Sequence, residues 1–462
     1  MLATALPERD DSHLVTKARA RKTRVLILSD HPTESKAVTK NLRALDFDVQ
    51  LSLFDGRTLS AIPTEAPDAV LCHLIDYSEQ GPNLAKVIKS HYGSKPIPII
   101  GAMSRPIADA TAGFDSTLFA PMHASQIANR VNAMIRLGVM EGEIERRLKT
   151  LRIDFGQSPN MGDFSPDRKF RVLFIGKASP SFMVIINALQ DKGVNVIAAF
   201  TSFSAFDYLH GDPFDAVVMN ALEQSEPAFS ISEAMRRNSK LYHTPTLFLV
   251  NGLEFREHEA AYDRGARDII NIDADSEEIS GRILELANYH RIHEQMKSNF
   301  LSLAVEGARD ETSAAYSQSF MRAHLPRMLR DATKSNQTTT LIGLKLTCDS
   351  KGDATPSAIA SAYAQTTDLI ANLVRMQDVV CRWDENIFAL AFFNTIKSEA
   401  QTILTRIQAL IDCTTYESGT VLGDALSISA QSTCLEIKPG NQNKATHLDA
   451  LIANLLQEPD ET

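Results

Sequence analysis

Apolar positions fall into short continuous runs separated by helix-sized intervals of mixed polarity. RVLILSD, at 24–30, predicts a buried strand because it is apolar and rich in β-branched residues, and a helical pattern through Lys36, Leu42 and Leu45 follows it. DAVLCHL comes next, after the turn signal Ala66-Pro67-Asp68, and then PIPIIGAM after another helix-sized interval. Continuous apolar strands alternating with helices predict a parallel sheet covered on both faces, that is, a doubly wound α/β domain.

From Ser125 to about Leu151 the pattern becomes one long helix with an intermittent apolar stripe of Ile127, Val131, Ile135, Ile144, Leu148 and Leu151. A helix of that length is expected to outrun its own domain or to wrap its surface. DFGQSPNMGDFSPD reads as a linker, after which the same order returns in RVLFIG, DAVVMNAL and TPTLFLVN. Arg24-Val25-Leu26 corresponds to Arg171-Val172-Leu173 and Asp68-Ala69-Val70 to Asp215-Ala216-Val217, a repeat of about 147 residues. A second long helix is predicted from about Glu277 to Ala308. Beyond it TTTLIGLKL, a helix from Pro356 to Arg375, and the hairpin-like pair VVCRWDEN and IFALAFF mark a third, mixed α/β domain. The expected domains are 20–150, 168–300 and 309–457.

A chain of 462 residues that is 44 % hydrophobic has material for about three cores. Its net charge of -10 argues against broad contact with nucleic acid or an anionic membrane, but not against one local basic pocket for a small anion. MLATALPERDDSH lacks the features of a secretory signal, and no apolar run approaches a membrane span, so a cytoplasmic location is expected. Cys72, Cys348, Cys381, Cys413 and Cys434 show no metal-ligand or disulfide-framework spacing and are expected to be reduced core residues. No metal site is predicted.

The two repeats resemble the receiver domains of bacterial response regulators over about 20–140 and 168–290, through strand order, the Pro-Asp or Phe-Asp entry to the central strand, and Gly-Phe-Asp or Gly-Ala-Arg-Asp before the last strand. In that family a central aspartate takes a phosphoryl group, an acidic pair binds magnesium, a hydroxyl residue closes on the phosphate and a lysine pairs with it. The resemblance places Ser29-Asp30, His73, Met103 and Ala120 at those positions in the first repeat, and Gly176-Lys177, Asn220, Val250 and Ile272 in the second. His73 and Asn220 are thus lost phosphoacceptor positions; asparagine keeps the shape of aspartate but is neutral and a far poorer nucleophile. Lys177 is expected either to occupy the former metal pocket as a fixed cation or to be a solvated loop residue. The family commonly pairs through its last strands and helices, which implies a homodimer built on the duplicated units.

The last third resembles the GGDEF family of diguanylate cyclases from about Asp310 to Leu456. The opening motif stands as Asp310-Glu311-Thr312-Ser313-Ala314-Ala315-Tyr316-Ser317-Gln318, with Tyr316 and Phe320 keeping its packing. The signature hairpin stands as Arg382-Trp383 followed by Asp384, Glu385, Asn386, Ile387 and Phe388. Where the family has two glycines, Asp384 and Glu385 add bulk and negative charge beside a triphosphate. A metal-holding acid is replaced by Asn386, and the first strand offers Lys345-Leu346-Thr347 where the family has a carboxylate. TCDSKGDATPSA lacks the family's nucleotide-engaging residues. Condensing GTP needs metal-neutralised phosphates, so no catalytic residues are assigned and no enzyme activity is expected.

Just upstream, Arg375-Met376-Gln377-Asp378 lies at the spacing of the family's Arg-x-x-Asp site for cyclic di-GMP. An arginine fork suits guanine O6 and N7, and a carboxylate suits N1 and N2. Arg406 falls where relatives carry a secondary ligand-binding arginine, or else snorkels over Leu404 or Leu410. The expected ligand site is Arg375, Asp378 and Arg406, with cyclic di-GMP as a regulatory ligand and no other cofactor. An inactive receptor of this kind would control an unidentified regulatory protein partner or a location such as a cell pole. A scaffold that kept the Arg-Asp pair as a surface ion pair, or a protein with residual cyclase activity, are the other readings.

Overall fold

The computed structural model describes residues 22–55, 62–93, 97–104, 112–120, 122–161, 168–252, 254–349, 354–419, 425–440 and 446–456. The end of the expected linker, 162–167, and residues 350–353 of TCDSKGDATPSA lie outside the described residues.

The first repeat runs β1 (Arg24–Ser29), α1 (Pro32–Ala44), β2 (Asp48–Leu53), β3 (Ala69–Leu74), α2 (Gly81–Tyr92), β4 (Ile99–Met103), β5 (Ser116–Phe119) and α3 (Ala124–Asp154). Its parallel sheet has the order β2-β1-β3-β4-β5. Ile27, Leu71 and Ile100 lie in register and pack with Ile127 and Val131 of α3, whereas Leu26, Val70 and Cys72 pack on the other face with Leu84 and Ile88 of α2. Burial on both faces explains why the central strands read as unbroken apolar runs.

The second repeat runs β6 (Arg171–Ile175), α4 (Pro180–Asp191), β7 (Asn195–Ala199), α5 (Ser202–Gly211), β8 (Ala216–Asn220), α6 (Glu226–Arg237), β9 (Thr246–Val250), α7 (His258–Asp263), β10 (Asp268–Asn271) and α8 (Ser276–Ser302). Its sheet repeats the order, β7-β6-β8-β9-β10, again parallel. The repeated Arg and Asp do the same work twice. Asp68 accepts the backbone N–H of Arg24 at 2.9 Å, and Asp215 that of Arg171 at 2.8 Å, tying the start of the first strand to that of the central one.

The last third runs α9 (Gln318–Lys334), β11 (Thr339–Asp349), α10 (Pro356–Leu373), β12 (Val379–Arg382), β13 (Ile387–Phe393), α11 (Lys397–Asp412), β14 (Thr415–Tyr416), β15 (Leu426–Ile437) and α12 (Thr446–Leu456). Its antiparallel sheet has the order β12-β13-β11-β15-β14. Helices α10 and α11 share a core with one face of this sheet, and α9 and α12 pack against its strands as well. The second long helix ends at Ser302, short of the expected Ala308; the chain then turns through Gly307, at φ +80°, and Arg309 bridges to Tyr316. The helix that starts at Pro356 stops at Leu373 because a turn from Arg375 to Asp378 takes over.

Thr23–Leu148 and Ser158–Leu303 together form one compact unit, while Lys149–Gln157 associates with the residues from Ala304 onward in another. Helix α3 therefore does outrun its own domain: its last turns bond within the terminal unit, Thr150 to His324 at 3.0 Å and Asp154 to Arg327 at 2.7 Å. All five cysteines are free thiols, but only Cys72 and Cys381 occupy cores; Cys348 and Cys434 are half-buried and Cys413 is exposed.

Candidate functional site

At the end of β3, His73 is 3 % exposed and its Nδ1 lies 3.1 Å from the Ser35 hydroxyl and 3.4 Å from that of Ser29. Burial pushes its pKa below the ordinary histidine value, against the pull of Glu34 and Asp30. His73 thus sits in a serine-lined pocket whose burial disfavours the charged imidazolium. Asp30 is the acidic residue that survives beside it, and its carboxylate accepts the backbone N–H groups of Ile75, Asp76 and Tyr77 at 2.8–2.9 Å. Those three donors hold the carboxylate against the loop after β3 and take up most of its roughly four acceptor sites.

In the second repeat, Asn220 donates from Nδ2 to the Lys177 carbonyl at 3.0 Å and accepts the Leu222 N–H at 3.0 Å, so its amide braces the two loops. Gly176 sits against it at φ +130°, where an added Cβ would come within 2.6 Å of the Asn220 Cβ. Of the two expectations for Lys177, the structure supports the solvated one. Its side chain is 80 % exposed and pairs with an equally exposed Glu223 at 2.9 Å.

In the terminal unit, a tight turn joins α10 to β12. The Asp378 N–H donates to the Arg375 carbonyl at 2.9 Å, and the Arg375 N–H donates to Asp378 Oδ2 at 3.0 Å. Asp378 is buried at 8 % exposure, whereas the Arg375 side chain is exposed and, among the described residues, makes no ion pair or side-chain hydrogen bond. The Arg375–Asp378 contact is therefore made by backbone to carboxylate, not by a surface ion pair. Arg406 is on the exposed side of α11, away from the buried Ile407, and no bond joins it to the turn. Helices α10 and α11 pack together; Arg375 lies in the turn just past the end of α10 and Arg406 on α11.

The hairpin between β12 and β13 is occupied by its own structure. Arg382 donates to the Glu385 carbonyl from Nε at 3.2 Å and Nη2 at 2.9 Å, and from Nη1 to Asp310 at 3.3 Å and to the Thr312 hydroxyl. Asn386 donates from Nδ2 to the Leu346 carbonyl at 2.8 Å, and the Leu346 N–H donates back to the Asn386 carbonyl at 2.8 Å. Lys345 pairs in register with Ile387. Trp383 packs beneath the Arg322 guanidinium, 4.4 Å from its ring centre, which fits hairpin packing better than a base platform. Asp384 and Glu385 are exposed at the tip, while Ile387 and Phe388 are buried.

The opening motif serves the same brace. Asp310 accepts from Thr312 Oγ1 at 2.8 Å and Ser313 Oγ at 2.7 Å; burial alone would raise its pKa, but these bonds and Arg382 lower it. Tyr316 stacks on Phe320 at 4.0 Å, and Ser317 caps α9 by accepting the Phe320 N–H at 3.3 Å. Thr312 and Ser313 were missed as braces in the sequence, although an Asp followed by Thr and Ser is the local signal of an Asx or ST turn.

A second feature missed in the sequence is the seam between the repeats. Gln126 of α3 donates to Asp268 of β10 at 2.6 Å, and Asp268 also receives Arg282 Nε at 3.0 Å and Nη2 at 2.5 Å. Glu285 of α8 accepts from the Ser116 hydroxyl at 2.7 Å, the Thr117 N–H at 3.0 Å and Arg130 at 3.0 Å. Arg130 lies over the Tyr289 ring and Arg147 over the Phe300 ring, so α3 and α8 run side by side in the same direction. The faces expected to join two copies are joined here within one chain.

No protein-family model matches the chain. It is similar to the response regulator PleD of Caulobacter vibrioides, 20 % identical over 402 residues, which cover 83 % of this chain and 86 % of that one. Among solved structures it is similar to the GGDEF domain of DgcB from Caulobacter crescentus in complex with c-di-GMP: 16 % identity, 33 % of this chain, 86 % of that chain, TM-score 0.27. It is also similar to a response regulator from Thermotoga maritima: 20 % identity, 26 % of this chain, 99 % of that chain, TM-score 0.24. With two parallel five-stranded sheets of the same strand order and one antiparallel five-stranded sheet, the chain has a mixed α/β architecture of two flavodoxin-like units followed by a third α/β unit.

Proposed function

We propose that this chain is a receptor for cyclic di-GMP that neither takes up phosphate on its receiver-type units nor makes the dinucleotide itself. The observation that carries the reading is the turn at Arg375 to Asp378, where a buried carboxylate is held in place and an exposed guanidinium has no side-chain partner among the described residues. A preformed turn lowers the ordering cost of binding, and the open fork can meet a guanine edge. The adjoining hairpin supports the inactive reading, because Arg382 and Asn386 are committed to backbone carbonyls and the residues along β11 beside it are Lys345, Leu346 and Thr347. The DgcB complex, a GGDEF domain with this dinucleotide bound, makes the ligand class a natural one for the terminal unit. Binding would then direct a protein partner or a cellular location. Two chains would associate through a face other than the seam between the receiver-type units, which light scattering at several concentrations tests.

Isothermal titration of cyclic di-GMP into the full chain is the deciding experiment, run beside a GTP and magnesium product assay. The expected affinity is around 1 µM, about -8 kcal/mol. Arg375→Ala removes two charge-assisted hydrogen bonds and is expected to weaken binding about a hundredfold. Asp378→Asn keeps an oxygen for the Arg375 N–H yet loses the charged acceptor, so binding falls while the fold holds. Arg406→Ala is expected to have the smaller effect. Absence of heat up to about 100 µM ligand would leave a scaffold, and product from GTP would make the chain a cyclase.

A further inference from the structure

We propose that the cavity between the two receiver-type units is a binding site for a small multivalent oxyanion of the phosphate class, which would tie α3 of the first unit to β10 and α8 of the second. The cavity measures about 170 Å³ and is lined by Arg130, Arg136, Arg267, His243, His290 and His293, together with neutral residues; among the described residues no aspartate or glutamate lines it. That volume lies below the roughly 300 Å³ at which pockets for drug-sized ligands begin, so phosphate or pyrophosphate fits the space and a dinucleotide does not.

The charges inside are incompletely answered by the protein. Arg130 has Glu285 at 3.0 Å, and Glu294 lies 3.9 Å from His290 and 3.4 Å from His293. Arg267, by contrast, makes no ion pair or side-chain hydrogen bond among the described residues, and burial together with Arg236 and Arg136 brings its pKa down to about 9. His243 lies tilted against His293, ring centres 4.4 Å apart, with no hydrogen bond to its ring among the described residues, and burial followed by the neighbouring His293, Arg136, Lys297 and Arg267 pushes it down to about 3. Nδ1 of His290 is buried without a partner. A cluster that resists its own protonation this strongly has the electrostatics of a site for a dianion. A guanidinium fork pairs with phosphate oxygens in two parallel bonds, and the imidazoles can add donors as they take up protons.

The test uses the full chain in a chloride buffer, with orthophosphate and pyrophosphate as probes, read by titration calorimetry and by thermal unfolding against sodium chloride of matched ionic strength. One saturable site per chain is expected, with a melting temperature that climbs with anion concentration. Arg267→Gln is expected to weaken binding at least tenfold and, without anion, to melt no lower than the wild type, because the repulsion among the cations is relieved. Arg136→Gln is expected to repeat the loss of binding, and Arg375→Ala to leave it intact. Identical melting in phosphate and matched chloride up to about 10 mM, or undiminished binding by folded Arg267→Gln or Arg136→Gln, would overturn the proposal.

Discussion

Replacing Asp268 by alanine would strip the seam between the receiver-type units of its most connected carboxylate. Asp268 is 1 % exposed and receives Arg282 through two nitrogens, Gln126 through one and the Ile269 N–H at 2.9 Å. Arg282 is itself 6 % exposed; once Asp268 is gone it keeps the Ile269 carbonyl at 3.1 Å and Glu278 at 3.4 Å. Burial by itself would lower the pKa of this arginine, and Asp268 more than offsets that and raises it. Removing one partner of a buried pair costs about 3–5 kcal/mol, since the other charge stays in a poor solvent. At about 2–4 °C per kcal/mol for a unit of this size, the melting temperature is expected to fall by roughly 6–20 °C. Asp268→Asn keeps the shape and loses the charge, for about 1–3 kcal/mol. Asp268→Leu combined with Arg282→Met removes both charges and is expected to recover most of the loss. Urea unfolding of the full chain reads all three. An Asp268→Ala midpoint within about 0.5 kcal/mol of the wild type would refute the reasoning, because surface substitutions have effects of that size.

Intact-mass analysis after acetyl phosphate treatment is expected to show no adduct that disappears in His73→Ala or Asn220→Ala; such an adduct would reinstate a phosphoacceptor. Gly176→Ala is expected to destabilise the second unit by about 2 kcal/mol or more, since it combines a positive φ with the clash at Asn220, and a normal urea midpoint would count against that account. Acid titration supplies a further check through His243, lowered to about 3, and His290, lowered to about 4 mainly by burial. Both bind protons more readily unfolded than folded, so their contribution to stability is complete above about pH 6.5 and is lost as pH falls toward 4. Thermal unfolding between pH 7 and 4 is expected to show this decline, and a His243→Gln, His290→Gln double variant to flatten it.

The sequence by itself determined the layers of this protein and little of its wiring. β1, β3 and β4 and their counterparts β6, β8 and β9 were legible because strands buried on both faces must be apolar throughout, and the repeat was legible because both copies obey the same constraint. β15 was overlooked, although LSISAQSTCLEI alternates as a strand with one buried face should, because its polar half interrupts any apolar run. The Arg375–Asp378 spacing was visible, yet only the folded turn showed that the carboxylate is fixed by backbone while the guanidinium stays open. Asp30 read as a survivor of metal chemistry, and the structure spends it on three backbone N–H groups from a loop 45–47 residues away. The seam and the cationic cavity lay beyond reach, since Gln126 and Asp268 are 142 residues apart and Ser116 and Glu285 are 169 apart. Periodicity records which face of an element is buried. It does not record which distant side chain arrives there, and that choice, made when the two repeats pack, decides which charges are answered and which are left to a ligand.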